Sequence, residues 1–175
     1  MKHKLCLLYS WLVRTFFFFW PDIPFIMRFR GWLYGLVMKK CGSDFQVSHS
    51  VIINGLEGLS VGNHVFINNN CLLLSSYGLY IGDGVIIGPS CVFSSNNHLC
   101  KDQSFRYGGR EVAAIYIGAG SWIAANCTIL SGAYIPVFSL IAAGSVYSIK
   151  KKSELDSGYV YGGVPAKIIK KIDDE

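Results

Sequence analysis

A mainly β protein built as a parallel β-helix is the fold this sequence predicts, and three observations predict it. From Val61 the chain divides into sixes, each led by a large apolar residue: Val61, Ile67, Leu73, Ile81, Ile87, Phe93, Ile117, Ile123, Ile129, Ile135 and Ile141. The fifth place of each six is restricted to Val65, Cys71, Val85, Cys91, Ser121, Cys127, Ala133, Ser139 and Ser145. Glycine follows the leading residue at 62, 82, 88 and 118.

Each feature has a mechanical reason. A coil with three short flat faces turns one large side chain per face inward, so the apolar residue recurs every six. A small residue must point inward near each corner, where the faces converge and volume is scarce. Glycine or asparagine at the corners supplies backbone angles that other residues resist. Stacked coils then pair their strands in parallel and bury a continuous apolar column. A helical period of 3.6 does not fit, and a sandwich would show strict alternation between longer turns. The period leaves the hand of the coil open, since most parallel crossovers are right-handed.

The repeat runs from about residue 47 to 148, with two interruptions. Two extra residues enter between Leu73 and Ile81, and the register is lost between Phe93 and Ile117. The expected organisation is a helical, apolar and basic segment over 1–44, a β-helix over 45–150 with an excursion at 99–114, and a tail at 151–175 packing on the β-helix.

Composition agrees with a single domain able to bury a core. Of 175 residues, 51% are hydrophobic and 15% charged, with a net charge of +5. The positive charge sits at the ends, at Lys2, Lys4, Arg14, Arg28, Arg30, Lys39 and Lys40 in front and at Lys150–Lys152, Lys167, Lys170 and Lys171 behind. That is not the continuous stripe of a nucleic-acid binder. Basic ends suit a phosphorylated cofactor or an anionic membrane surface. The six cysteines form no CxxC pair and no metal-ligand spacing, and three of them occupy the small inward slot, so a reduced, cytosolic protein with packing cysteines is expected.

The first forty residues carry an apolar run, Leu5–Trp20, which ends in Phe16–Trp20, is interrupted by Arg14 and is closed by Pro21. The run is shorter than the roughly 20 residues of a spanning helix, and no small-residue cleavage site follows it. Residues 25–40 mix apolar and basic side chains at helical spacing. Two readings stay open: packing on the β-helix or on a neighbouring subunit, and peripheral contact with a membrane through residues 1–40.

The strings IGDGVIIGPSCVFSSNNH (81–98), IGAGSWIAANCTILSGAYI (117–135), IAAGSV (141–146) and GGVPAKIIKKI (162–172) resemble the hexapeptide-repeat O-acetyltransferases, the group of galactoside, maltose and nodulation acetyltransferases and of enzymes acetylating surface polysaccharides. The resemblance covers roughly residues 45–172. It implies a left-handed β-helix, a homotrimer with active sites between subunits, acetyl-CoA as donor and no metal. It further implies a sugar or glycan acceptor, and the apolar, basic N-terminus points to one from O-antigen or capsule assembly, met at the inner face of a membrane.

His98 stands at the mouth of the excursion, where the resembling family places its base. Transfer to a sugar hydroxyl needs removal of a proton from a poor nucleophile, and a near-neutral imidazole suits that task. On the same resemblance Asn68 faces the acceptor, although a corner asparagine tolerating left-handed angles would look the same. The family's loop helps form the acceptor site, which draws in Arg106 and Tyr107. Asp102 and Glu111 are both candidates to orient His98. For the donor the resemblance points to Trp122, Ala125, Ala143 and Ser148 along the pantetheine arm, and to Lys150, Lys167 and Lys170 at the phosphates. A small soluble acceptor (free sugar, serine or antibiotic) and a non-catalytic scaffold are the alternatives. A γ-class carbonic anhydrase is disfavoured because no HxxxxH occurs.

Overall fold

The structure, a computed structural model, describes residues 2–150 and 157–172. Lys151 and Lys152, and the start and end of the expected tail, lie outside the described residues.

Two helices come first, α1 (Lys2–Phe16) and α2 (Pro24–Gly35). The chain then winds into three parallel ladders. One face stacks Lys40–Cys41, Leu59–Val61, Leu79–Ile81, Ile115–Ile117 and Tyr134–Ile135. The second begins Gln46–Val47, Phe66–Ile67, Ile86–Ile87, Trp122–Ile123 and Leu140–Ile141, and the third runs from Ile52–Asn54 to Val146–Tyr147. The first coil therefore starts at Lys40, ahead of residue 45. Its opening strand is two residues long and reads Lys-Cys, without the leading aliphatic that marks a six.

The inward pattern accounts for the core. Every leading residue from Val61 to Ile141 is at most 4% exposed, and every small fifth residue at most 2%. The cysteines in that slot bond outward to the next coil: Cys91 Sγ donates to the Ala124 carbonyl at 3.0 Å and Cys127 Sγ to Ala142 at 3.2 Å. The Cys91 thiol beside it and burial together raise the Cys127 pKa, so these are packing groups.

The glycines divide into two classes, and this refines the reason for them. Gly62, Gly82, Gly88 and Gly118 do not sit at positive φ. A Cβ at Gly82 would lie 2.6 Å from Ala119 N, and at Gly118 2.3 Å from Val137 N. They are glycines because consecutive coils touch there. The left-handed residues come two places later, as the column Asp44, His64, Gly84, Gly120 and Phe138.

Register shows where coils differ in length. Lys40 pairs with Ser60 and Ser60 with Tyr80, steps of 20 residues. Tyr80 pairs with Tyr116, a step of 36, and Tyr116 with Tyr134, a step of 18. Strands in the second and third faces keep constant spacing within each coil, so all the surplus enters at one corner, between the third face and the first.

Both ends of the core are closed by aromatics. At the far end the Tyr147 and Tyr161 rings meet edge to face at 5.5 Å, fully buried. Tyr159–Gly163 extends the second face and turns back as Ala166–Lys171. At the near end α1 and α2 cover the first coil, with Phe17, Tyr34 and Phe45 buried in the core. An ionic staple fixes them. Arg30 is fully buried and donates to the Val47 carbonyl and to Asp22, which also accepts from the Ser48 hydroxyl and the His49 backbone. Burial alone would raise the Asp22 carboxyl, but its bonds to Ser48, His49 and Arg30 leave it below its ordinary pKa.

Candidate functional site

The surplus residues at the corner between the third and first faces end in a β-hairpin that projects from the body. The third face ends at Ser94, and the excursion begins at Ser95 rather than 99. Asn96–His98 pairs antiparallel with Arg110–Val112. The root is pinned by buried serines: Ser95 Oγ donates to the Leu74 carbonyl at 2.8 Å, and the Ala113 amide reaches Ser131 Oγ at 3.1 Å. A stem held this way fixes the direction of the groups it carries.

His98 lies in that stem directly opposite Arg110. Cross-strand partners share a face of a hairpin at about 5 Å between Cβ atoms, so imidazole and guanidinium stand side by side. Glu111 faces Asn97 instead, and alternation sends it to the other side of the ribbon. Among the described residues no hydrogen bond joins His98 to Asp102 or Glu111. Asp102 sits in the tip turn at φ 49°. Arg106 and Tyr107 are exposed near the tip, the guanidinium 5.8 Å from the ring centre.

A cleft of 250 Å³ holds His98 and Arg110 together with Asn96, Tyr77, His3 and Leu7. The last two belong to α1 and were not identified by sequence reasoning, because α1 stands outside the repeat and its spacing carries no link to coil three. His3 is held by Glu57, Nδ1 to Oε1 at 2.5 Å. Burial would raise the Glu57 carboxyl, but the bond to His3 keeps it below its ordinary pKa.

The remaining candidates lie elsewhere on the prism. Asn68 is half-buried at the corner between the second and third faces, its Oδ1 accepting the Asn69 amide at 2.8 Å. The left-handed residue of that corner is Asn70, at φ 60°, so Asn68 is not there for its backbone. Ala125 and Ala143 occupy the same corner two and three coils on, Gly144 N–H bonding the Ala125 carbonyl. Trp122 is on the second face, 49% exposed, between Ile86 and Leu140. Ser148 follows the last strand of the third face, and Lys150 is exposed with its stem against Gly132. Lys167 and Lys170 are exposed on the terminal strand that edges the second sheet. The structure thus brings His98 and Arg110 together on one corner and Asn68, Ala125 and Ala143 on another. No cofactor candidate lines the His98 cleft. Among the described residues no group of three or more His, Cys, Asp or Glu side chains is placed to hold a metal.

No protein-family model matches the chain. In sequence it is 32% identical over 117 residues to a Staphylococcus aureus (strain COL) protein named Putative acetyltransferase SACOL2570, covering 67% of this chain. The chain spans 57% of that relative's length. In structure it superposes on a hexapeptide-repeat acetyltransferase of Vibrio cholerae complexed with acetyl coenzyme A, with a TM-score of 0.81 and 23% identity, covering 98% of this chain and 89% of that one. A maltose O-acetyltransferase of Clostridium difficile 630 gives 0.80 and 23%, covering 99% and 87%. The chain is a hexapeptide-repeat β-solenoid whose structural neighbours are hexapeptide-repeat acetyltransferases.

Proposed function

We propose that the protein is an acetyl-CoA-dependent O-acetyltransferase acting on a sugar hydroxyl. The observation that carries the reading is His98, fixed in the stem of a hairpin inserted at the one corner where the solenoid admits surplus residues, beside a cleft. The donor is inferred from the acetyl coenzyme A bound by the Vibrio cholerae neighbour, and the sugar from the maltose O-acetyltransferase.

In this reading His98 takes the proton of the acceptor hydroxyl as its oxygen attacks the thioester carbonyl of acetyl-CoA. The tetrahedral adduct collapses, the carbon–sulfur bond breaks, and the imidazolium returns the proton to the departing thiolate. No acyl-enzyme forms. Asn68, Arg106 and Tyr107 contact the acceptor. Trp122, Ala125, Ala143 and Ser148 line the pantetheine arm, with Lys150, Lys167 and Lys170 at the phosphates. His98 stands at one corner of the chain and Asn68, Ala125 and Ala143 at another, so a site that holds both comes from neighbouring copies of a homotrimer. The acceptor belongs to surface polysaccharide assembly, and the protein acts in the cytoplasm against the inner face of a membrane through residues 1–40.

The test is transfer of labelled acetyl from acetyl-CoA to a panel of methyl hexosides and N-acetylhexosaminides, comparing wild type with His98→Ala and His98→Asn. Loss of a positioned general base lowers kcat by about 10²–10⁴-fold. Equal turnover by all three proteins would falsify the assignment of His98.

A further inference from the structure

We infer that the acceptor sugar is carried on a lipid anchor and is delivered to His98 from the bilayer on which α1 and α2 lie. The inference rests on the transferase reading above and names its substrate class.

One helix serves two surfaces. On one side α1 contributes His3 and Leu7 to the His98 cleft. On the other, Leu5, Leu8 and Leu12 join Leu36 and Met38 in an open apolar groove of 640 Å³, with Lys2 at its rim. A sugar at His98 and an alkyl chain in that groove would be separated by the width of α1 alone, about 10 Å.

The surroundings of the groove suit lipid. Phe19 is 91% exposed, Phe25 76% and Phe16 67%. Trp11 on α1, Trp20 in the link and Trp32 on α2 are about half exposed, and aromatic side chains of this kind favour the headgroup level. Charge then selects among apolar partners. Residues 2–43 hold seven Lys or Arg and one acidic residue, Asp22. Asp22 is engaged with Arg30, Ser48 and His49, and the two carboxylates that reach the helices from the solenoid, Asp44 and Glu57, are paired with Arg28 and His3, so the balance of charge on the two helices is positive. No helix among the described residues is long and apolar enough to cross a membrane, which leaves α1 and α2 lying in the interface plane. No acidic side chain is among those lining the His98 cleft, and Arg110 stands opposite the base. That polarity fits the phosphate through which a sugar is joined to a lipid.

The experiment uses the full chain with mixed phosphatidylcholine–phosphatidylglycerol vesicles. Acceptors are hexadecyl and methyl glycosides of one panel of hexoses and N-acetylhexosamines, the former incorporated in the vesicles. The protein floats with the vesicles, and a fluorophore on the exposed Cys100, two residues beyond His98, is quenched by headgroup-labelled lipid. kcat/KM for hexadecyl glycosides exceeds that for the methyl glycosides by about tenfold or more, as expected when remote binding energy is used. In the double variant Phe19→Ser, Phe25→Ser the ratio falls to about one. Both side chains are exposed, and an unchanged circular-dichroism melt checks that the fold is intact. Equal kcat/KM for both series, an unbound wild type, or a ratio that survives the double variant overturns the lipid-anchored acceptor and leaves the transferase standing. Transfer to neither series by vesicle-bound protein overturns the transferase reading itself.

Discussion

At the scale of single residues, the thiols separate packing from chemistry. Cys71, Cys91 and Cys127 point into the solenoid on three successive coils, and burial holds each from solvent. Serine fills the same slot at 121, 139 and 145, donating to the carbonyls of Pro136, Val137 and Ala142, which shows what the slot demands: small volume and one donor for a nearby backbone carbonyl. Native protein treated with a thiol reagent should therefore show one fast group, Cys100, abolished by Cys100→Ser, followed by slower reaction at the half-buried Cys41. The thiolate is the reactive form, and the raised Cys127 pKa acts against it. Cys127→Ser should cost about 1 kcal/mol, whereas Cys127→Leu overfills the corner and costs about 3 kcal/mol. Fast modification of Cys91 or Cys127 in folded protein would contradict this account.

At the scale of the element, the six-residue unit was legible because each of its slots is set by one local demand. The leading aliphatics and the small fifth residues were readable one by one, since nothing but the core lies behind them. The glycines were readable as positions but not in their reason. Their need arises from contact between coils 18, 20 or 36 residues apart, and a single hexad does not contain that contact. The two glycine classes make this testable in one element. Gly84 sits at φ 64° with open space where a Cβ would go, and His64 and Asp44 adopt the same backbone on earlier coils. Gly84→Ala should cost about 1 kcal/mol, a fall in Tm of about 2–4 °C for a chain of this size. Gly82→Ala places a methyl against the backbone of the next coil and should cost about 3 kcal/mol or prevent folding. Melts of equal Tm would remove the distinction. The hairpin stem was less legible: Asn96–His98 breaks the repeat without announcing its partner, because the pairing with Arg110–Val112 depends on a turn whose residues follow no period. His3 was not legible at all, since α1 reaches the His98 cleft through tertiary packing.

At the scale of the whole molecule, the division of the candidates between corners has a consequence for assembly. His98 and Arg110 stand where the third and first faces meet, while Asn68, Ala125 and Ala143 stand where the second and third meet. If one chain held a complete site, a defect at either corner would inactivate that chain and no mixture could repair it. In the proposed homotrimer each site takes His98 from one subunit and the donor corner from its neighbour, so two different defects can be sorted into separate sites. His98→Ala removes the base, and Ala143→Trp fills the donor corner with a side chain that faces solvent and leaves the core untouched. Each variant alone should be inactive. Unfolded together and refolded at equal amounts, they associate at random around a closed ring. A site is whole only when its base comes from the Ala143→Trp chain and its donor corner from the His98→Ala chain, a joint chance of about one quarter in a symmetric oligomer. Recovery of about a quarter of wild-type activity, rising from zero on mixing, is the expected result. Mixtures that stay inactive while sedimenting as wild type would place the whole site within one chain.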